Sequence, residues 1–204
     1  MPAEVAGPPV AAPAAPWLIL PPDPALRGRA DAVYFTGDSL TFDTWHWGGL
    51  ARRAASKGWG VSGVRARGGI TAEGLVAGWG ALSENLPGVV LIAVGANDVI
   101  VDTPPRAFAR SVNALVRAAP GRRVVLVGIA LRSDPLVAAR EEALNAVLHR
   151  IARRSPRVTF ADWAAVMQRH PEWSLPNDPF GVHLTDSGLR GRARFYVRSL
   201  GSPG

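Results

Sequence analysis

Four short stretches of this 204-residue chain carry residue types that together do acyl chemistry, and three of them directly follow an apolar run. "VYFTGDSL" sets Gly37, Asp38 and Ser39 behind the first run, "VRARGGIT" sets Gly68 and Gly69 behind the second, and "LIAVGAND" sets Gly95, Asn97 and Asp98 behind the third. Near the C-terminus, "PNDPFGVHLTDSG" presents His183 just ahead of a helix-starting Thr-Asp-Ser. A serine hydroxyl is a weak nucleophile until a neighbouring base takes its proton, and His183 is the candidate base. Attack on an ester creates an oxyanion that needs donors aimed at it. The backbone N–H groups of Ser39 and Gly69 and the side-chain amide of Asn97 are the candidates. Gly69 also lets the backbone approach a substrate closely. Each piece alone is an ordinary turn, cap or surface histidine; their ordered combination is far more specific.

The elements that must position these groups follow from the hydrophobic pattern. Strands are expected at Ala32–Thr36, Gly60–Ala66, Val89–Val94, Val124–Ile129 and Val158–Phe160, and helices at about 45–57, 71–82, 105–118, 135–153, 163–169 and 185–200. The strands are short, continuous and β-branched, which suits a sheet buried on both faces. Alternation of strand and helix with short connections predicts an α/β fold with a parallel, doubly covered sheet. Such sheets carry their active sites at the carboxyl ends of the strands, where Ser39, Gly69 and Asn97 fall.

At this point the motifs resemble those of the SGNH (GDSL-type) hydrolase family. "GDSL" at 37–40 looks like its first block, Gly69 its second, "GAND" at 95–98 its third, and "GVHLT" at 181–185 most of its fifth. The resemblance covers roughly residues 31 to 200. It implies a three-layer α/β/α fold with a flavodoxin-like sheet, and ester hydrolysis through an acyl-enzyme without a metal or other cofactor. It further implies a catalytic acid three residues before the histidine, a slot filled here by Phe180. The simplest alignment gives that role to Asp178, with Pro179 and Phe180 inserted after it. The alternative is a Ser-His dyad whose imidazole is held by a backbone carbonyl. "ADWAAVMQRHPEW" looks like bacterial members related to envelope-glycan acyltransferases.

Trp45 and Trp47 follow the nucleophile within a few residues, and their rings are candidates to line an acyl or sugar pocket. Asp38 and Asp98 read as loop braces. The expected substrate is a small ester or an acylated glycan. Acyl transfer at the same site, or a non-catalytic binding module that retains the fold, are the competing readings. A nucleotide-binding doubly wound protein is disfavoured, because neither a Gly-x-Gly-x-x-Gly nor a P-loop pattern is present.

The formal charge is +7, and all but one of the 23 basic residues are arginine. These arginines are scattered rather than interleaved with aromatics, so a solvated surface is expected and not a nucleic-acid interface. The absence of cysteine excludes disulfides and thiolate metal sites. Residues 1–28, rich in Pro and Ala, read as an extended arm on a domain of residues 29–204. They lack the basic and long apolar regions of a signal peptide, which makes the cytoplasm the default compartment unless a leader was removed. No stretch is long enough to span a membrane.

Overall fold

The computed structural model describes residues 16–131, 135–178 and 180–203. Its centre is a six-stranded sheet of β1 (Trp17–Leu20), β2 (Ala32–Gly37), β3 (Gly60–Arg67), β4 (Val89–Ala93), β5 (Arg123–Val127) and β6 (Val158–Ala161), in the order β1-β3-β2-β4-β5-β6. All neighbours are parallel except β1, which runs antiparallel along β3 with Trp17 opposite Arg67 and Leu20 opposite Val64. Every residue of β2 and β4 is buried, as a sheet covered on both sides requires. Successive side chains divide between the faces. Val33, Phe35, Leu91 and Val127 join one core, while Tyr34, Val90, Ile92 and Leu126 join the other.

The first face is covered by α1 (Ser39–His46), α2 (Leu50–Ala55), α7 (Trp163–Arg169) and α8 (Asp186–Ser199). The second is covered by α3 (Ala72–Val76), α5 (Pro105–Arg117) and α6 (Pro135–Arg153), with the short α4 (Ala96–Ile100) at its edge. The result is the expected three-layer α/β/α arrangement.

The differences from the sequence reading lie in the local detail. The helix expected over 45–57 is two helices, because Gly48-Gly49 interrupts it and neither glycine supports a helix interior. The first of the pair starts at Ser39 itself, capped by Asp38. The helix expected over 71–82 stops at Val76 and gives way to a 3₁₀ turn over Gly80–Asn85. In the Pro/Ala-rich arm, residues 1–15 lie outside the described residues, whereas Trp17–Leu20 form β1 at the sheet edge and Pro24–Leu26 a 3₁₀ turn. Among the described residues no helix is long and apolar enough to cross a membrane.

Candidate active site

The first wall of the site is the turn from β2 into α1. A side chain at Gly37 would place its Cβ 2.2 Å from both Ala93 O and Thr41 Oγ1, so only glycine lets the strand ends close up here. Asp38 is extended and caps α1, its carboxylate accepting the Leu40 N–H at 3.1 Å. Ser39 is therefore the first helical residue, half-buried, with its N–H among the open donors of the helix start.

The second wall joins two loops. Gly69 has φ +72° with open space where a side chain would stand, so its backbone faces the cleft directly. Gly95 has φ +131°, and a Cβ there would lie 2.5 Å from Ile129 Cδ1; this left-handed turn swings the chain from β4 into α4. Asn97 follows, and its Nδ2 donates to Ile70 O at 3.0 Å. An amide nitrogen carries two protons, so one remains for a ligand. Asp98 is buried, and its Oδ2 accepts the Ala72 N–H at 2.9 Å. Burial raises the Asp98 pKa against the opposing pull of that bond. Neighbouring residues thus tie α4 to the loop holding Gly69, which sets the separation between the two outer oxyanion candidates.

The third wall is the loop before α8. It is pinned by Leu175 N–H to His183 O at 3.0 Å and Thr185 N–H to Trp173 O at 2.8 Å, and Thr185 caps α8 by accepting the Gly188 N–H. Asp178, its side chain only 8% exposed, folds under this loop. Its Oδ2 accepts the N–H groups of Val182 and His183, the latter at 2.7 Å. The same oxygen stands 3.4 Å from His183 Nδ1. That is ion-pair reach but long for a hydrogen bond, as often found before substrate arrives. Burial pushes the Asp178 carboxyl up, but the His183 N–H, the imidazole and the Val182 N–H together hold it below the usual carboxylate range. Pro179 lies outside the described residues; Phe180 is 44% exposed and forms part of the cleft rim.

Ser39, Gly68, Gly69, Asn97, Asp178 and His183 all line one open cleft of about 740 Å3, together with Arg67, Ile70, Ile100, Phe180 and Val182. Trp45 and Trp47 are not among its lining residues. Trp45 packs edge-on against Phe35 in the core, and Trp47, 62% exposed, borders a separate hollow. Eight residue steps along α1 carry the chain about 12 Å from Ser39 to Trp47 at 1.5 Å per residue, so the two border different hollows.

Three charged groups at or near this site, Arg67, Asp43 and Arg192, escaped the sequence reading. Arg67 directly precedes the glycine pair and brings a cation to the cleft. Asp43 stands one helical turn beyond Ser39; burial raises its pKa, while the charges of His183 and His46 lower it. Beneath the β2–α1 turn, Asp38 is buried, and desolvation drives its pKa up to about 6 against the attraction of Arg192. Arg192 is buried as well, donates from Nε to the Tyr196 hydroxyl at 2.9 Å, and lies 4.8 Å over the Trp163 ring. The i+4 spacing from Ser39 was a signal for Asp43; nothing local marks Arg192, seven residues after the end of the histidine motif. Among the described residues, no cluster of three or more His, Asp or Glu is placed to hold a metal.

Several solved structures share this arrangement of chain. The C-terminal catalytic domain of Streptococcus pneumoniae peptidoglycan O-acetyltransferase A superposes with a TM-score of 0.63 at 23% identity, over 85% of this chain and 92% of that one. A lipase/acylhydrolase from Enterococcus faecalis gives 0.67 at 19%, over 83% and 94%. A catalytic mutant of Axe2, an acetylxylan esterase from Geobacillus stearothermophilus, gives 0.65 at 19%, over 87% and 97%. At these identities the likeness establishes the fold. Comparison with curated protein sequences gave no match. The sequence profile of the GDSL-like Lipase/Acylhydrolase family matches residues 35–190, which contain every wall of the cleft. The chain belongs to the GDSL-like lipase/acylhydrolase (SGNH) family.

Proposed function

We propose that the chain is a serine esterase that removes short acyl groups, acetyl foremost, from carbohydrate esters by way of an acyl-enzyme. His183 Nε2 takes the Ser39 Oγ proton as Oγ attacks the carbonyl carbon. The oxyanion is held by the N–H groups of Ser39 and Gly69 and the free proton of Asn97 Nδ2. Collapse expels the alcohol, which takes the proton from the imidazolium. Water then repeats the sequence on the acyl-enzyme and releases the acid. Asp178 keeps the Nδ1–H tautomer and stabilises the imidazolium. The observation that carries this reading is Asp178 Oδ2 at 3.4 Å from His183 Nδ1, in a cleft that Ser39 and Asn97 also line. It favours the triad over the dyad.

The cleft is open, which supports short acyl groups; kcat/KM for an acetate ester should exceed that for a dodecanoate ester. The openness also favours a second reading, transfer of the acyl group to an acceptor hydroxyl, as the name of the pneumococcal neighbour suggests. Turnover of p-nitrophenyl acetate with and without a serine-reactive phosphonate tests the mechanism. Labelling should map to Ser39, and Ser39→Ala should be folded but inactive. Labelling at Ser62 or Ser187 would reject the assignment. Product analysis with an added sugar acceptor separates hydrolysis from transfer.

A further inference from the structure

A second hollow, of about 440 Å3, opens on the α1, α2 and α8 face where α1 gives way to α2. Its lining includes Trp47, Arg52, Arg53, Ser56 and Arg190, and no carboxylate. Among the described residues, none of these three arginines enters an ion pair, whereas Arg29 and Arg140 each find an aspartate. Arg53 Nε is buried with no acceptor, and a buried donor without a partner is costly. Trp47 holds its ring in solvent at 62% exposure. Three positive charges and an unanswered donor thus gather around one concavity beside an indole whose ring keeps Phe42 at 6.3 Å and His46 at 5.8 Å but remains largely in solvent. A ligand with a negative group and a flat apolar side complements all of them.

We propose that this hollow is a subsite for an anionic sugar unit, bearing a carboxylate or a phosphate, of a glycan whose ester is presented to Ser39; the assignment rests on the carbohydrate-esterase reading. Guanidinium forks match the oxygens of either anion, and the Trp47 face offers an apolar platform beside them. The hollow borders the C-terminal end of the helix that begins at Ser39. The two sites are therefore separated by about 12 Å along α1, which an oligosaccharide bridges and a single sugar does not. A nucleic acid fits less well, because one tryptophan provides no series of stacking platforms.

The test is calorimetric titration of the full chain carrying Ser39→Ala, so that binding is read independently of turnover. The probes are a galacturonate oligosaccharide, a neutral xylo-oligosaccharide of equal length, inorganic phosphate and a DNA duplex. The acidic oligomer should bind, more weakly as salt rises, and the neutral one should bind much less. Arg52→Gln with Arg190→Gln should weaken binding by about tenfold or more at an unchanged melting temperature. Trp47→Ala, at an exposed position, gives an independent second reading in the same direction. Displacement of the oligomer by phosphate supports a phosphate-bearing unit; its absence supports a carboxylate. No binding at low salt, equal binding by the variants, or tighter binding of DNA would each overturn the proposal. Loss of the esterase reading would show instead as a parent chain inactive on every ester.

Discussion

Asp178 serves two clients with one oxygen, the loop N–H groups and the imidazole. Asp178→Asn keeps an acceptor for the loop but turns the tautomer preference of His183, so kcat should fall by at least about a hundredfold while the fold persists. A loss below about tenfold, with His183→Ala inactive, would mean that another group orients the histidine. Asn97→Ala removes the proposed side-chain oxyanion donor and should lower kcat by roughly a hundredfold with little change in KM; an unchanged kcat would reduce Asn97 to its bond with Ile70 O. At this scale much was legible. Ser39, Gly69 and Asn97 each follow an apolar run whose carboxyl end the fold must place at one sheet edge. Asp178 was reachable only by counting back past an insertion, since nothing in "NDPFGVH" says that the chain closes over the carboxylate. Trp45 and Trp47 do not line the cleft with Ser39: Trp45 packs against Phe35, and Trp47 borders the separate hollow at the end of α1.

The turn between β2 and α1 is an element balanced on a buried charge. Asp38 titrates at about 6 in the fold, against about 3.9 in an unfolded chain. Between those values the folded state holds more protons than the unfolded state. Stability from this group is therefore present at low pH and declines as pH rises from about 4 to 6. Asp38→Asn removes that slope. Urea unfolding of parent and variant at pH 4.5 and 6.5 should show the parent losing ground to the variant at the higher pH. A difference independent of pH would mean that Arg192 keeps Asp38 ionised throughout. Asp178 has the opposite sign: its contribution is present above the usual carboxylate range and is lost on acidification through its lowered pKa. On the opposite wall, Gly95→Ala meets both a left-handed φ and the Ile129 side chain, and should destabilise by about 1–3 kcal/mol in the same assay. The strand-helix alternation made five of the six strands legible. The split of α1 from α2 was less so, because a Gly-Gly inside an apolar periodic stretch reads equally as a tolerated weakness or as a break.

Across the whole molecule, the strand that the sequence concealed is β1, four residues set between prolines. Trp17 lies 4.4 Å beneath the Arg65 guanidinium, which in turn donates to Leu75 O and Ala77 O, so the edge strand is locked to the far side of the β3–α3 connection. Removing residues 1–20 should lower the melting temperature by roughly 4–8 °C if about 2 kcal/mol is lost. It should also reduce turnover, because β3 ends at Arg67 beside the glycines of the cleft. The outermost strands of the intact sheet, β1 and β6, are each only four residues long, too short to offer much of a template to another chain. Without β1 the edge becomes β3, eight residues long, with its row of amides and carbonyls open. Light scattering should then rise with protein concentration even below the melting temperature. On this expectation four residues at the rim of the sheet, remote from the catalytic chemistry, govern how readily one molecule adheres to the next.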